Sequence, residues 1–204
     1  METQSGLNGP NAASDYNTRQ AVSALVSAIA AAPIGSQSAN PLRDASPEVR
    51  NLFLTLYALY EKELLPALDL LDRGLVTRLK VSNANLRLLL VRSAQQHNTR
   101  NSAYEHVNYY GVRLDAWSCS CPAFTFSAFP AARQHSDEPS AKSDSAANGK
   151  DCLFGGLSRG TDLPICKHLL ACALVEHGQM FAHLVDERDV SAEEIAGWAA
   201  GWGD

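Results

Sequence analysis

The chain has 204 residues, 46% hydrophobic and 19% charged, which is enough apolar side chain to build a core and excludes a wholly disordered polymer. No apolar run reaches 18 residues, so no membrane-spanning helix is expected, and Met1-Glu2-Thr3-Gln4 opens without the basic stretch of a secretory leader. The formal net charge of -5 is unevenly spread: from Asp186 to Asp204 six acids meet one base, while from Arg73 to Arg113 seven bases meet one acid.

Residues 1–17 are polar and read as a mobile tail. An Ala-rich helix follows from Thr18 to Ala32, which Pro33 stops, and then a linker from Gly35 to Pro47. Residues 1–45 thus form a flexible N-terminal region with one helix. Ser46-Pro47 starts the next helix, with Ser as N-cap and Pro at the first helical position. Val49, Leu52, Phe53, Leu56, Leu59 and Tyr60 recur at helical spacing and predict a helix to about Leu65. Pro66 should interrupt it, with a short continuation to Asp72 and a stop at Gly74.

The period then changes. Leu75 to Val81 alternates apolar and polar residues as a strand does, Ser82 to Asn85 is turn-like, and Leu86 to Val91 reads as the return strand. The basic stretch lies here. It is a solvated sheet face or, on a sharper reading, a surface for phosphates or an acidic partner. Tyr104 to Trp117 holds a further strand pair or one long bent strand, with a break at Gly111. Phe129 to Thr161 lacks apolar periodicity and reads as a flexible insertion within a domain, because chemically related residues flank it. A long helix is predicted from Lys167 to about Leu184. Ser191-Ala192-Glu193-Glu194 is a capping box for a last short helix displaying Ile195, Trp198 and Trp202. Two tryptophans beside acids suggest docking, onto the body of the protein or onto a partner.

These elements give an α+β fold class: N-terminal helices, a small antiparallel β-sheet, and a C-x-C…C-x-H knuckle leading into a long C-terminal helix. Residues 46–185 form the main domain, with the insertion at about 129–161, and 186–204 an acidic tail.

Five cysteines, an odd number, favour metal or thiol chemistry over a disulfide framework. Cys119 and Cys121 lie two apart on an extended segment and share a face. Cys166 and His168 can converge on them if Cys166 precedes the helix and His168 sits in its first turn. Three thiolates and one imidazole make a closed tetrahedral site for one structural Zn²⁺. A closed site leaves no position for water or substrate, and no triad, phosphate loop or paired-metal pattern occurs elsewhere, so no enzyme activity is expected. Cys172 shares the helix face of His168 and is the main rival ligand, although its apolar neighbours favour a core thiol. Cys152, His135, His177 and His183 are given no ligand role.

This pattern resembles the SWIM zinc finger. Leu68-Asp69-Leu70-Leu71-Asp72-Arg73 before a strand, Cys119-Ser120-Cys121-Pro122-Ala123-Phe124-Thr125-Phe126-Ser127, and Cys166-Lys167-His168-Leu169-Leu170-Ala171 together look like the small eukaryotic SWIM proteins of the Shu complex. The resemblance covers roughly residues 48–185, the insertion excluded. It implies a nuclear, non-catalytic protein that pairs with a RecA-like recombinase paralogue, promotes recombinase filaments in homologous recombination, and reaches DNA through that complex, with no membrane and no small-molecule substrate. It carries zinc ligation onto Cys119, Cys121, Cys166 and His168, knuckle packing onto Phe124 and Phe126, and a structural or interface role onto Asp69, Asp72 and Arg73. With Trp198 and Trp202 these last three are the candidate partner-binding residues. The alternative is direct DNA binding through Arg73–Arg113. The 44 residues between the ligand pairs are more than the family usually has. Each doubling of a loop adds only ~0.6 kcal/mol to closure, so a zinc site tolerates the length.

Overall fold

A computed structural model describes residues 18–32, 41–82, 84, 86–94, 108–129, 154 and 163–202. Three helices come first: α1 (Thr18–Ala30), α2 (Pro47–Leu59) and α3 (Glu61–Asp72). The Ser46 side chain caps α2 by accepting from the Val49 N–H at 3.4 Å. The interruption falls at Tyr60 (φ -131°, ψ 53°), not at Pro66, which sits inside α3. One straight helix over 47–72 would run about 39 Å. Breaking it at Tyr60 instead turns Leu56 of α2 and Leu64, Ala67 and Leu70 of α3 into the same core. The carbonyl that Pro66 cannot bond is that of exposed Lys62, within reach of solvent. α3 stops where expected. Gly74 has φ 59°, its N–H bonds Leu71 O at 3.0 Å, and Leu75 N–H bonds Leu70 O at 2.9 Å. This paired bonding is the Schellman motif that glycine permits.

Among the described residues the sheet has five strands: β1 (Val76–Lys80), β2 (Arg87–Arg92), β3 (Tyr109–Arg113), β4 (Ser118–Cys119) and β5 (Asp186–Asp189), in the order β4-β3-β2-β1-β5. The first four are antiparallel neighbours, as expected. β5 is not: it pairs in parallel with β1. The acidic segment 186–204 therefore begins as a sheet edge. Charge explains the pairing. Glu187 of β5 bonds Arg78 and Lys80 of β1, the latter at 2.6 Å, and the Ser82 hydroxyl reaches Asp189 at 3.0 Å. Part of the basic middle stretch and part of the acidic end are thus two sides of one strand pairing.

Of the segment expected from Tyr104 to Trp117, the described part forms one strand, β3, and the turn after it; β4 follows beyond Trp117, Gly111 lies within β3 opposite Leu90 rather than at a break, and residues 104–107 lie outside the described ones. Trp117 closes that turn with φ 46°, unusual for a bulky side chain. Burial of its ring and an indole N–H bond to Pro164 O at 2.8 Å hold it there. Alternation along the strands gives the sheet two faces. Val76, Leu89, Val91 and Val112 face the helical core, while Leu79, Leu88 and Leu90 face the other way.

The C-terminal helix is shorter than expected. α5 (Lys167–His177) ends at Gly178, and Gln179–Leu184 follows as a 3₁₀ segment. Gly178 leaves the helical region (φ -105°, ψ 107°). α5 is buried on every side from His168 to Val175, which makes it the central helix of the core. α4 (Pro122–Ala128) was not anticipated, and α6 (Ala192–Ala199) starts at the expected cap, with Ser191 Oγ accepting from Glu194 N–H at 3.1 Å.

Two segments expected to stand apart from the core contribute to it. Val22, Val26 and Ile29 of α1 join the main cluster. Phe154, inside the expected insertion, is fully buried between Trp117 (centroids 4.5 Å) and Tyr60 (6.0 Å), and its N–H bonds Ser23 Oγ at 3.3 Å. The rest of the insertion beyond Phe129 and before Leu163 lies outside the described residues.

Candidate metal centre

Four side chains converge between β4, α4 and α5. Cys119 sits on β4 opposite Val112, on the core face of the sheet. Cys121 is the N-cap of α4: its backbone is extended (φ -75°, ψ 149°), Pro122 follows at the first helical position, and its Sγ accepts from Phe124 N–H at 3.3 Å. Cys166 repeats the device on α5, with an extended backbone and Sγ accepting from Leu169 N–H at 3.5 Å. His168 is the second residue of that helix. Two of the three thiols thus occupy the position where serine usually caps a helix, and two helix N-termini point at the cluster. Free N–H groups and the helix dipole favour thiolates there.

The ligand atoms of Cys119, Cys121, Cys166 and His168 all lie within 4.8 Å of one another, and all four residues are buried. Cys119 Sγ is 3.8 Å from His168 Nδ1. For metal–sulfur and metal–nitrogen bonds of ~2.3 and ~2.0 Å at tetrahedral angles, that edge should be roughly 3.6 Å, so the set is close to coordinating size. The His168 ring lies tilted against Tyr110 (centroids 4.7 Å, 34° between planes), and its buried Nε2 meets no hydrogen-bond partner among the described residues. Burying an imidazole is costly, and coordination through Nδ1, the nitrogen 3.8 Å from Cys119 Sγ, would offset part of that cost.

The electrostatics of the cluster also call for a cation. Donation from the Cys119 and Cys166 thiols holds Cys121 far below the ordinary thiol range. Cys119 is correspondingly pushed far up, first by its bond to Cys121, and Cys166 is raised to about 11. Three thiols buried this close cannot all ionise without a balancing positive charge. A divalent ion would let all three ionise. Three soft sulfurs and one imidazole, with every position supplied by protein, suit one tetrahedral ion and leave no open site. The residues present fit a metal ion.

The other expected residues are distributed as follows. Cys172 is buried in the core outside the cluster, its thiol pushed up by burial. Burial lowers the half-buried His177, and His183 is exposed. Cys152 and His135 lie outside the described residues. Phe124 packs into the core, but Phe126 is 77% exposed, so the expected knuckle packing holds for only one of the two. Asp69 and Arg73 form an exposed i,i+4 ion pair at 3.3 Å, and Asp72 is exposed. Trp198 packs on the sheet with Leu79, Leu88 and Leu90, while Trp202 is 84% exposed. Of the seven bases, Arg78 meets Glu176 and Glu187, Lys80 meets Glu187, and Arg87 meets Glu176 at 3.0 Å. These three positive charges share two carboxylates, Glu176 and Glu187.

Sequence reasoning missed α4 and the capping role of the thiols, although Cys121-Pro122 has the same form as the cap Ser46-Pro47. No protein-family model matches the chain, and no curated protein matches it.

Proposed function

We propose that the protein is a non-catalytic, zinc-stabilised adaptor of the SWIM type, which pairs with a RecA-like recombinase paralogue and promotes recombinase filament assembly in homologous recombination, in the nucleus. The observation that carries the reading is the convergence of Cys119, Cys121, Cys166 and His168 across a long sequence gap into one buried, closed set of metal ligands. The C-x-C and C-x-H pairs that resemble the SWIM finger are the ones that meet. A metal held there would supply structure: it would tie β4 and α4 to the start of the central helix. Zinc is the assignment because it takes Cys₃His tetrahedra without redox chemistry.

Exposed apolar side chains support an adaptor role. Leu54 on α2, Leu65 on α3, Phe126 on α4, Phe129 at its C-terminal cap, and Trp202 are each more than half exposed. The pairing of Arg78, Lys80 and Arg87 with carboxylates leaves less charge for phosphates, so DNA contact is assigned to the complex rather than to the basic stretch of this chain. The test is co-expression with RecA-like paralogues from the same cell. Stable co-purification with one of them, lost in Cys121→Ser and His168→Ala, is expected. A chain that stays a soluble monomer beside all of them contradicts the proposal.

A further inference from the structure

The face of the sheet turned away from the helical core is covered only in part. Ile195 and Trp198 of α6 pack on Leu79, Leu88 and Leu90. Beside them a cavity of about 490 Å³ opens between the sheet and the end of α6. Small-molecule sites run roughly 300–1,000 Å³. Leu88 and Leu90 are its apolar floor, and Tyr109 and Trp198 form an aromatic wall, their rings edge to face with centroids 5.2 Å apart. Asn108, Arg113 and Ser118 supply its polar edge, and among the described residues no carboxylate lines it.

Arg113 is held in place. It pairs in register with Ser118 on β4, and its guanidinium donates to Ala199 O at the end of α6, at 3.2 Å. A guanidinium carries five N–H donors, and that bond uses one of them.

We propose that this cavity binds a flat aromatic anion of mononucleotide size, its ring against Tyr109 and Trp198 and its charge on Arg113. The lining decides among ligand classes. A purely apolar ligand would desolvate Asn108, Ser118 and the Arg113 donors that Ala199 O does not take. A cation would meet Arg113 with no carboxylate to balance it. A small anion without a ring would leave the aromatic wall and leucine floor wet. A planar ring joined to a phosphate or carboxylate satisfies both halves. Cys119, one of the four converging ligands, also borders the cavity, but the proposal uses neither the metal nor the adaptor reading.

The probe is AMP, titrated into the full zinc-loaded chain carrying Trp202→Phe, so that indole emission reports Trp198 and buried Trp117. Saturable one-to-one binding is expected, with adenosine and inorganic phosphate each at least about tenfold weaker. Tyr109→Leu and Arg113→Gln should each weaken AMP by about tenfold or more, while Tyr109→Phe stays within about threefold. Melting temperature and zinc content, equal to the parent's, show that each variant is folded. No saturation at millimolar AMP, or binding unchanged in both Tyr109→Leu and Arg113→Gln, overturns the proposal. A single-stranded oligo(dA) arm separates two sources of the same chemistry. Displacement of AMP by oligo(dA) assigns the site to a base and phosphate within a strand, and its absence, with AMP bound, to a free nucleotide.

Discussion

Phe154 lies in a stretch whose composition gives no reason to expect a core residue, yet its ring is fully buried between Trp117 and Tyr60. Phe154→Ala removes that ring from a packed site. Truncations of this kind cost about 3–5 kcal/mol, the lost transfer energy plus the cavity left behind. For a chain of this size each kcal/mol shifts the melting temperature by about 2–4 °C, so a fall of roughly 6–20 °C is expected. Phe154→Leu keeps much of the volume and should lose less than about 1.5 kcal/mol. Phe126→Ala is the control, because that ring is 77% exposed and its loss should change stability by less than about 0.5 kcal/mol. Differential scanning calorimetry of the three variants, all zinc-loaded, reads the effect. If Phe154→Ala melts with the parent, Phe154 is not part of the core and its role here is refuted.

Adding a methyl group at Gly178 would set it 2.6 Å from Leu174 O, a backbone atom that cannot swing aside. Gly178→Ala should therefore cost about 1–3 kcal/mol in urea unfolding, whereas Gly197→Ala, which meets nothing within 4 Å, should be neutral or stabilising by up to about 1 kcal/mol. Bonds from Lys80 and then Arg78 hold the Glu187 carboxyl below the usual carboxylate range. A lowered folded-state value means that this pairing stabilises the fold above the unfolded value of about 4.3 and that the contribution is lost as pH falls through the folded one. Glu187→Gln should thus be less stable than the parent at neutral pH and converge with it in strong acid, as followed by circular dichroism; a gap that persists unchanged in strong acid contradicts this. Cys172→Ala should keep its metal, because Cys172 lies outside the ligand set, while Cys121→Ser should lose it; elemental analysis of the two proteins decides.

Local chemistry was legible in the sequence where one side chain dictates the backbone. Gly74 ends α3 by taking a positive φ, and Ser46 and Ser191 cap the helices that follow them. The four converging ligands were legible too, because residue type and spacing at element boundaries restrict which side chains can meet. What was hidden depends on the partner surface. Tyr60 breaks the helix in place of Pro66 because two stripes must reach one core. β5 reads as an acidic tail until Arg78 and Lys80 stand opposite Glu187. Phe154 sits in a short apolar run with Leu153 and Leu157 inside a polar stretch, too short to show a period, and its role comes from the Trp117 and Tyr60 rings around it. Phe124 and Phe126 look equivalent in sequence, and only the packing of α4 buries one and exposes the other.

The central claim is that Cys119, Cys121, Cys166 and His168 hold one structural ion. Its most direct measurement is elemental analysis of the folded, purified chain beside His168→Ala. One zinc per chain in the parent, released by chelator with loss of the cooperative melting transition and missing from His168→Ala, is the predicted result. A folded parent without bound metal, or a full complement of zinc retained by His168→Ala, would contradict it.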